Sequence, residues 1–89
     1  MRIAICDDQQ SCLSRAAAAA EEYRKERPER SLRFALFSHP EDLLEAAEKI
    51  GGYDIYILDV VMPGLNGIAL GERLRSAGYE GKILYLTRK

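Results

Sequence analysis

The chain has 89 residues, enough for one domain, and its 47% apolar and 30% charged residues are ordinary for a globular protein. Its formal net charge of -1 gives no strong attraction to nucleic acid or an anionic membrane, so we expect neither contact from this segment. The sequence lacks an apolar run of the roughly 20 residues that span a bilayer and a signal peptide, which predicts a cytoplasmic protein.

The first predicted element is a short strand that ends in two acids. The strand covers residues 2–6, with β-branched Ile3 and Ile5, and Asp7 and Asp8 follow it directly. Adjacent carboxylates at the end of an apolar strand destabilise a fold unless positive charge lies near them. One of the two could instead cap the helix that follows, so this pair alone leaves both interpretations open.

An alanine-rich helix is predicted from Ser11 to about Arg27, and Pro28 would end it. Its predicted buried face has residues at helical spacing: Leu13, Ala16, Ala20 and Tyr23. The two cysteines, Cys6 and Cys12, lack the sequence partners of a zinc site or a disulfide scaffold. We interpret both as reduced residues in or near the core.

An edge strand and a second helix come next. Partial alternation of apolar and other residues from Ser31 to Phe37 predicts a strand with one polar face. Ser38 is predicted to cap the next helix, with Glu41 as its partner in a capping box, and Gly51 and Gly52 are predicted to end it. The predicted buried face of this helix comprises Leu43, Ala46, Ala47 and Ile50.

The third predicted strand is an apolar run that begins near Tyr53 and brings one carboxylate, Asp59, to its end. Asp is common at strand ends, so Asp59 could merely cap a turn. The functional alternative is that it lies at the edge where sheets of alternating strands and helices bind their ligands.

The rest of the chain predicts one more helix and one more strand. After a turn through residues 62–64, a helix is predicted to begin at Asn66 or Gly67 and to end at Gly78, with a strand over residues 82–87. The residues expected to point inward from the helix are Ile68, Leu70 and Leu74. Together the elements predict an α/β fold, a parallel sheet with right-handed crossovers and helices on both faces.

Acidic residues follow two strands of this predicted sheet. If strands one and three are neighbours, Asp7, Asp8 and Asp59 share one small pocket at the carboxyl ends. Their mutual repulsion requires a proton or a cation among them, and ligation by oxygen alone favours Mg²⁺. Asp59 is then a candidate nucleophile toward phosphorus, and the Thr87 hydroxyl is a candidate to bind a phosphoryl oxygen.

Three motifs together resemble the receiver domain of two-component response regulators. They are the Asp7-Asp8 pair, the pattern Asp-x-x-Met-Pro-Gly-x-x-Gly over residues 59–67, and Leu86-Thr87. The resemblance implies a flavodoxin-like, doubly wound parallel sheet with strand order 2-1-3-4. It also implies transfer of a phosphoryl group from a sensor histidine kinase, which switches a downstream output.

The resemblance assigns roles to five residues of this chain. It implies that Asp59 accepts the phosphoryl group and that Asp8, Asp59 and the backbone carbonyl of Val61 hold Mg²⁺. Asp7 would act through a bound water, and Thr87 would be the switch hydroxyl. Two further segments, residues 5–8 and residues 37–44 with Phe37-Ser38 and Glu41-Asp42-Leu43-Leu44, are also similar to receivers of LytTR-type DNA-binding regulators.

The chain departs from the family pattern after the fourth strand. A complete receiver continues with a helix, a strand and a helix, so residues 1–89 are predicted to be a single, C-terminally truncated receiver domain. Lys89 follows Thr87 too closely to be the family's phosphoryl-binding lysine, and Arg88 stands where the family usually has a small residue. The fourth strand would be an unprotected apolar edge, and we expect self-association through it.

Other functions stay open from the sequence. A truncated receiver could act only as an interaction module, without phosphorylation. An aspartate-nucleophile phosphohydrolase usually carries a second acid two residues after the nucleophile, where this chain has Val61. A nucleotide-binding fold would need a Gly-rich loop after the first strand, where this chain has Asp7 and Asp8. We therefore expect a protein that does not turn over an external substrate.

Overall fold

A computed structural model describes residues 1–87 of the chain. Within this range strands and helices alternate as the sequence pattern predicts. The strands are β1 (Arg2–Cys6), β2 (Arg33–Phe37), β3 (Ile55–Asp59) and β4 (Lys82–Leu86). The helices are α1 (Gln10–Glu26), α2 (Pro40–Ile50) and α3 (Gly67–Ser76), and a short 3-10 turn, Pro28–Arg30, follows α1.

The strands of the described chain form one parallel sheet in the order β2-β1-β3-β4. β1 lies between β2 and β3, with Cys6 level with Phe37 on one side and with Leu58 on the other. Each strand reaches the next through a helix, which parallel pairing requires. The predicted α/β, doubly wound fold with strand order 2-1-3-4 is confirmed.

Apolar clusters cover the two faces of the sheet, because successive side chains of a strand point to opposite faces. On the face that α1 covers, the buried residues are Ile3, Ile5, Leu13 and Leu32. On the face that α2 and α3 cover, they are Ala4, Cys6, Leu43, Ala47, Tyr56, Leu58, Met62, Leu70 and Leu74. Burying each large side chain contributes about 1.5–3 kcal/mol, so the two clusters hold β1 and β3 in the centre of the fold.

Three residues predicted to be buried are instead exposed. Tyr23, Ile50 and Ile68 are 42%, 40% and 44% exposed. The Arg27 guanidinium stacks over the Tyr23 ring, 3.8 Å from its centroid, so this ring is covered by a neighbouring cation. Ile50 is the last residue of α2, where the helix leaves the core.

The buried face of α3 shares Leu70 and Leu74 with the predicted one but has Gly67 and Gly71 in place of Ile68. It comprises Gly67, Leu70, Gly71 and Leu74. These residues follow the spacing i, i+3, i+4, i+7 of a single helix face, and Ile68 lies beside that face. Two glycines therefore take core positions that the sequence reading assigned to an isoleucine.

The bounds of α1 and α3 lie within two residues of the predicted ones, whereas the predicted cap of α2 differs. The predicted Ser38–Glu41 capping box is wrong, since His39 is the N-cap and forms no side-chain capping bond. Pro40 at the first helical position presets the backbone without such a bond. At α3 the Asn66 side chain does cap the helix, where its Oδ1 accepts the Ala69 N–H at 2.9 Å.

The second strand begins later than predicted, at Arg33 rather than Ser31. The 3-10 turn precedes it, and Ser31 has the left-handed backbone conformation with φ of 49°. Both cysteines are free thiols, Cys6 buried and Cys12 partly exposed, as predicted. No helix within residues 1–87 has the length and apolar character needed to cross a membrane.

Candidate functional site

Three carboxylates meet at the carboxyl ends of β1 and β3. Asp7 and Asp8 directly follow β1, and Asp59 is the last residue of β3. These strands are neighbours, so their ends lie at one edge of the sheet. One oxygen from each of the three carboxylates lies within 4.8 Å of the others. The structure therefore brings together the three acids that the sequence analysis singled out.

Two of these acids are buried and hydrogen-bonded to the loops that follow them. Asp7 is 5% exposed and Asp59 is fully buried, whereas Asp8 is exposed. The Oδ1 atom of Asp7 accepts the Gln9 N–H at 3.0 Å, and that of Asp59 accepts the Val61 N–H at 3.4 Å. Such bonds two residues along the chain fix the orientation of each carboxylate.

The loop after Asp59 is held against the core by Met62. This side chain is 6% exposed, and its Sδ atom lies 3.8 Å from the Cys6 Sγ atom. Cys6 precedes Asp7, so one contact ties the loop after β3 to the end of β1. The sequence analysis used Met62 as part of a motif and missed this role in packing, because Val60, Val61 and Leu65 around it are apolar too and nothing marked Met62 as the buried one.

Gly67 lets α3 begin directly against the end of β3. Its N–H donates to the Val60 carbonyl at 3.1 Å, and a Cβ atom at this position would collide with the Asp59 carbonyl oxygen. Only glycine permits this close approach of backbone to backbone. Sequence reasoning quoted Gly67 in the motif but did not find this constraint, which requires the position of α3.

Burial and the acids together suppress ionisation of the thiol beneath them. Burial, and after it the negative charges of Asp7, Glu41, Asp59 and Asp8, together raise the pKa of the Cys6 thiol to about 12. The thiol therefore stays protonated at neutral pH and does not offer a thiolate to a metal. The donor atoms of the cluster are carboxylate oxygens.

The remaining predicted site residues lie near this edge of the sheet. Val61 follows the nucleophile candidate by two residues and its side chain is 68% exposed. Leu86 is level with Asp59 in the β3–β4 register, so Thr87, which follows it and is exposed, lies at the same edge. Arg88 and Lys89, on which two predicted departures from the family rest, lie outside the described residues.

The chemistry of the donor set suits a small, hard cation. Hard cations such as Mg²⁺ prefer oxygen ligands, and Mg²⁺ is usually held by one or two carboxylates together with waters. Two buried carboxylates and one exposed carboxylate within 4.8 Å fit that description. The exposed Asp8 leaves one side of the cluster open to solvent and to a ligand.

Comparison with known proteins agrees with this geometry. A family model described as the response regulator receiver domain matches residues 3–89. The transcriptional regulatory protein PcoR of Escherichia coli is 46% identical over 54 residues, which is 61% of this chain and 24% of that protein. The transcriptional regulatory protein DltR of Streptococcus agalactiae (serotype III, strain NEM316) is 41% identical over 39 residues, 44% of this chain and 17% of that protein. This chain thus spans a quarter or less of each of these two relatives.

Solved structures share the fold. The BeF3-activated DrrB receiver domain aligns with a TM-score of 0.72 and 23% identity, over 97% of this chain and 64% of that chain. The N-terminal domain of a response regulator receiver protein from Methanoculleus marisnigri JR1 aligns with a TM-score of 0.71 and 22% identity, over 99% of this chain and 67% of that chain. At these identities the likeness shows a common architecture.

Proposed function

The chain belongs to the response regulator receiver domain family, and we propose that it accepts a phosphoryl group on Asp59 in a Mg²⁺-dependent reaction that switches a downstream output. The observation that carries this proposal is the position of Asp59, fully buried at the end of β3 within a cluster of three carboxylates. The names of two relatives, both transcriptional regulatory proteins, support an output in transcription.

All three acids would take part in holding a metal ion, and Asp59 would be the nucleophile as well. Asp8, Asp59 and the backbone carbonyl of Val61 would hold Mg²⁺, and Asp7 would reach it through a water molecule. When bound, Mg²⁺ supplies positive charge that offsets the repulsion among the acids and between them and a phosphoryl group. The local hydrogen bonds from Gln9 and Val61 hold the Asp7 and Asp59 carboxylates in orientation for these roles.

The transfer is a displacement at phosphorus. A carboxylate oxygen of Asp59 forms a bond to the phosphorus atom, while the bond from phosphorus to the donor's leaving atom breaks and its electron pair goes to the leaving group. The donor is a sensor histidine kinase, or a small acyl phosphate in its place. Thr87, which follows β4, would be the switch hydroxyl. Its O–H would donate a hydrogen bond to a phosphoryl oxygen.

This site favours acceptance of a phosphoryl group over repeated turnover. A phosphohydrolase of the aspartate-nucleophile type needs a general acid near the nucleophile. The position two residues after Asp59 holds Val61, whose side chain cannot donate a proton. The family match likewise disfavours the phosphohydrolase and nucleotide-binding interpretations. The aspartyl phosphate would therefore persist as a signal.

The test is intact mass after incubation with Mg²⁺ and a small acyl phosphate. We expect a gain of one phosphoryl group that alkali removes, and no gain when EDTA replaces Mg²⁺. Asp59→Asn should abolish the gain, whereas Asp42→Asn, which changes an exposed acid in the first turn of α2, should retain it. Circular dichroism establishes that each variant is folded.

Two results would contradict the proposal. Incorporation that survives Asp59→Asn would overturn the assignment of the phosphoacceptor. A folded chain that gains no phosphoryl group from either an acyl phosphate or a phosphorylated kinase domain would favour the interaction module instead.

A further inference from the structure

Two arginines lie side by side at the amino ends of β1 and β2. Arg2 begins β1, Arg33 begins β2, and the two residues are level with each other in the parallel pairing of these strands. Ala4 is buried on the face that α2 and α3 cover, so Arg2, two residues before it, points to the same face. Arg33 points there too, because level residues of neighbouring strands share a face. The sheet therefore sets two positive side chains next to each other.

Neither guanidinium forms an ion pair within the described residues 1–87. The ion pairs of this part of the chain join Arg24 to Glu21, Arg27 to Glu26 and Lys49 to Glu45. An acid near Arg2 is Asp54, but its Oδ2 atom accepts the backbone N–H of Arg2, at 2.8 Å, and does not pair with the guanidinium. Both arginines are exposed to solvent. Like charges on neighbouring strands repel each other, so an anion between them would relieve that repulsion.

Backbone hydrogen bonds fix the spacing of the two arginines. The Arg2 carbonyl accepts the Asp54 N–H at 2.8 Å, and the Arg33 N–H donates to the Met1 carbonyl at 2.9 Å. These bonds continue the pairing of β1 with the strands on either side of it. Neighbouring strands lie about 4.8 Å apart, so both guanidiniums can reach one tetrahedral anion.

A cavity of about 230 Å³ lies against both arginines. Its lining consists of Arg2, Arg33, Phe34, Ala35, Ile50 and Tyr53. Phe37 and Tyr56 hold the Tyr53 ring through edge-to-face contacts, with ring centroids 6.3 and 5.8 Å from it. Burial raises the pKa of the Tyr53 phenol, and the positive charge of Arg2 opposes part of that rise. The cavity thus combines two guanidiniums with a phenol that its neighbours hold in place.

We propose that this cavity binds a phosphate dianion, either free or as the phosphate group of a small monoester. Guanidinium groups form paired, parallel hydrogen bonds with phosphate oxygens, and two of them match the two charges of the dianion. Ile50 and the Tyr53 ring supply apolar surface for the organic group of an ester. The cavity lies about 16 Å along β1 from Asp7, at the opposite end of the sheet from the acids. Binding there is therefore independent of the phosphoryl transfer proposed for Asp59.

The first experiment titrates the isotope-labelled 89-residue chain with inorganic phosphate and follows the backbone amide signals by NMR. EDTA is present and acyl phosphates are absent, so the carboxylate cluster takes no part, and the pH is one at which phosphate carries two charges. We expect saturable shifts at Arg2, Arg33 and Tyr53 that potassium chloride of equal ionic strength does not produce. Equal shifts in chloride, or no shifts at these residues, would overturn the proposal and leave two ordinary solvated arginines.

Substitutions separate a built site from general attraction between opposite charges. Arg33→Gln should weaken phosphate binding about tenfold or more, because a charged hydrogen-bond donor is lost. Arg33→Lys keeps the charge but not the planar fork, so it should weaken binding as well. Arg15→Gln is the matched control, since it removes one charge from an exposed residue of α1, on the other face of the sheet. Equal weakening by Arg33→Gln and Arg15→Gln would refute this cavity as the site.

Asp54→Asn tests the same site in the opposite direction. The asparagine Oδ1 atom can still accept the Arg2 N–H, so the substitution removes a negative charge beside the cavity while the local hydrogen bond is retained. We expect the affinity for phosphate to rise. An unchanged or lower affinity in a folded variant would contradict binding next to Arg2.

Phenyl phosphate distinguishes the two sources of the anion. A higher affinity for phenyl phosphate than for inorganic phosphate, lost in Ile50→Ala, would identify a monoester as the ligand. Equal or lower affinity would assign the cavity to free phosphate. Failure of both anions to bind, in a chain whose NMR spectrum shows it to be folded, would reject the site without bearing on Asp59.

Discussion

The Cys6 sulfur lies 3.8 Å from the Met62 sulfur, across 56 residues of sequence. Cys6 immediately precedes the first acid of the cluster, and Met62 follows Asp59 by three residues. Their contact lies within the buried core cluster, and it therefore holds together the two segments that supply the candidate site. The acids are positioned by apolar packing as much as by their own hydrogen bonds.

Met62→Ala should destabilise the fold and loosen the site. Removing a buried Met side chain costs about 2–5 kcal/mol, part of it from the cavity left against Cys6. Urea unfolding measures the loss, and the rate of phosphoryl incorporation should fall in the folded variant. Ile68→Ala, at a residue 44% exposed, should change stability by no more than about 0.5 kcal/mol. Equal effects of the two substitutions would mean that Met62 is not an anchor.

Gly67→Ala and Gly71→Ala form a matched pair on α3. At Gly67 the new methyl group meets the Asp59 backbone, which cannot move without disturbing the carboxylate, so a loss of about 1–3 kcal/mol is expected. At Gly71 it meets the end of the Tyr85 side chain, which is 42% exposed and able to rotate. Gly71→Ala also gains helix propensity of about 1 kcal/mol.

We therefore expect urea unfolding to rank the parent and Gly71→Ala well above Gly67→Ala. Phosphoryl incorporation should fall only in Gly67→Ala. The reverse order would show that the start of α3 is free to shift away from β3.

Tyr56 should make the fold sensitive to alkali. Burial raises the pKa of this fully buried phenol, while the hydrogen bond from the Tyr53 N–H, at 2.8 Å, opposes part of that rise. The unfolded chain ionises near the ordinary tyrosine pKa of about 10, before the folded chain does. Unfolding then releases a proton, so this stabilising contribution is complete below pH about 10 and is lost as pH rises through the folded pKa.

Urea unfolding on either side of pH about 10 measures this loss. Tyr56→Phe should show a smaller alkaline loss than the parent, and about 1 kcal/mol less stability at neutral pH because the Tyr53 N–H loses its acceptor. Tyr53, whose pKa burial also raises, remains in both proteins and acts as the internal control. Identical pH profiles for the parent and Tyr56→Phe would contradict the assignment to Tyr56.

Asp8→Asn should have opposite effects with and without metal. Without metal it removes one of three charges within 4.8 Å, so the melting temperature should rise. With Mg²⁺ it removes a proposed ligand, so the affinity measured by calorimetry should fall by about tenfold or more and the Mg²⁺-induced rise in melting temperature should shrink. Asp42→Asn should change neither quantity. A uniform shift under both conditions would argue against a metal role for Asp8.

The sequence predicted the architecture because its signals are local and repeated. Apolar runs identified the strands and the buried helix faces, and glycine or proline marked where helices end. The alternation of strands and helices then predicted a parallel sheet. The convergence of Asp7, Asp8 and Asp59 followed once β1 and β3 were taken as neighbours, a choice that the residues left open and the register of Cys6 with Leu58 confirms.

What the sequence could not predict depends on distances between elements. The burial of Gly67 and Gly71 in place of Ile68 is set by how closely α3 approaches β3 and β4. The sequence does not give the distance between α3 and these strands, so Ile68 was predicted to be buried on its apolar character alone. The roles of Asp59, Val61 and Thr87 in phosphoryl transfer and Mg²⁺ binding, and the likeness to LytTR-type regulators, stay predictions.

The central position of β1 has a consequence for how the chain acquires its acidic site. β2 pairs with one side of β1, and Asp59 joins Asp7 and Asp8 only when β3 is paired with the other side. In an unfolded chain Asp59 is far from the adjacent Asp7 and Asp8, so the site of three acids is absent. A ligand that binds all three carboxylates binds the folded sheet and not the unfolded chain. Its binding therefore adds to the free energy of unfolding by mass action. Ligand binding and folding are therefore thermodynamically coupled.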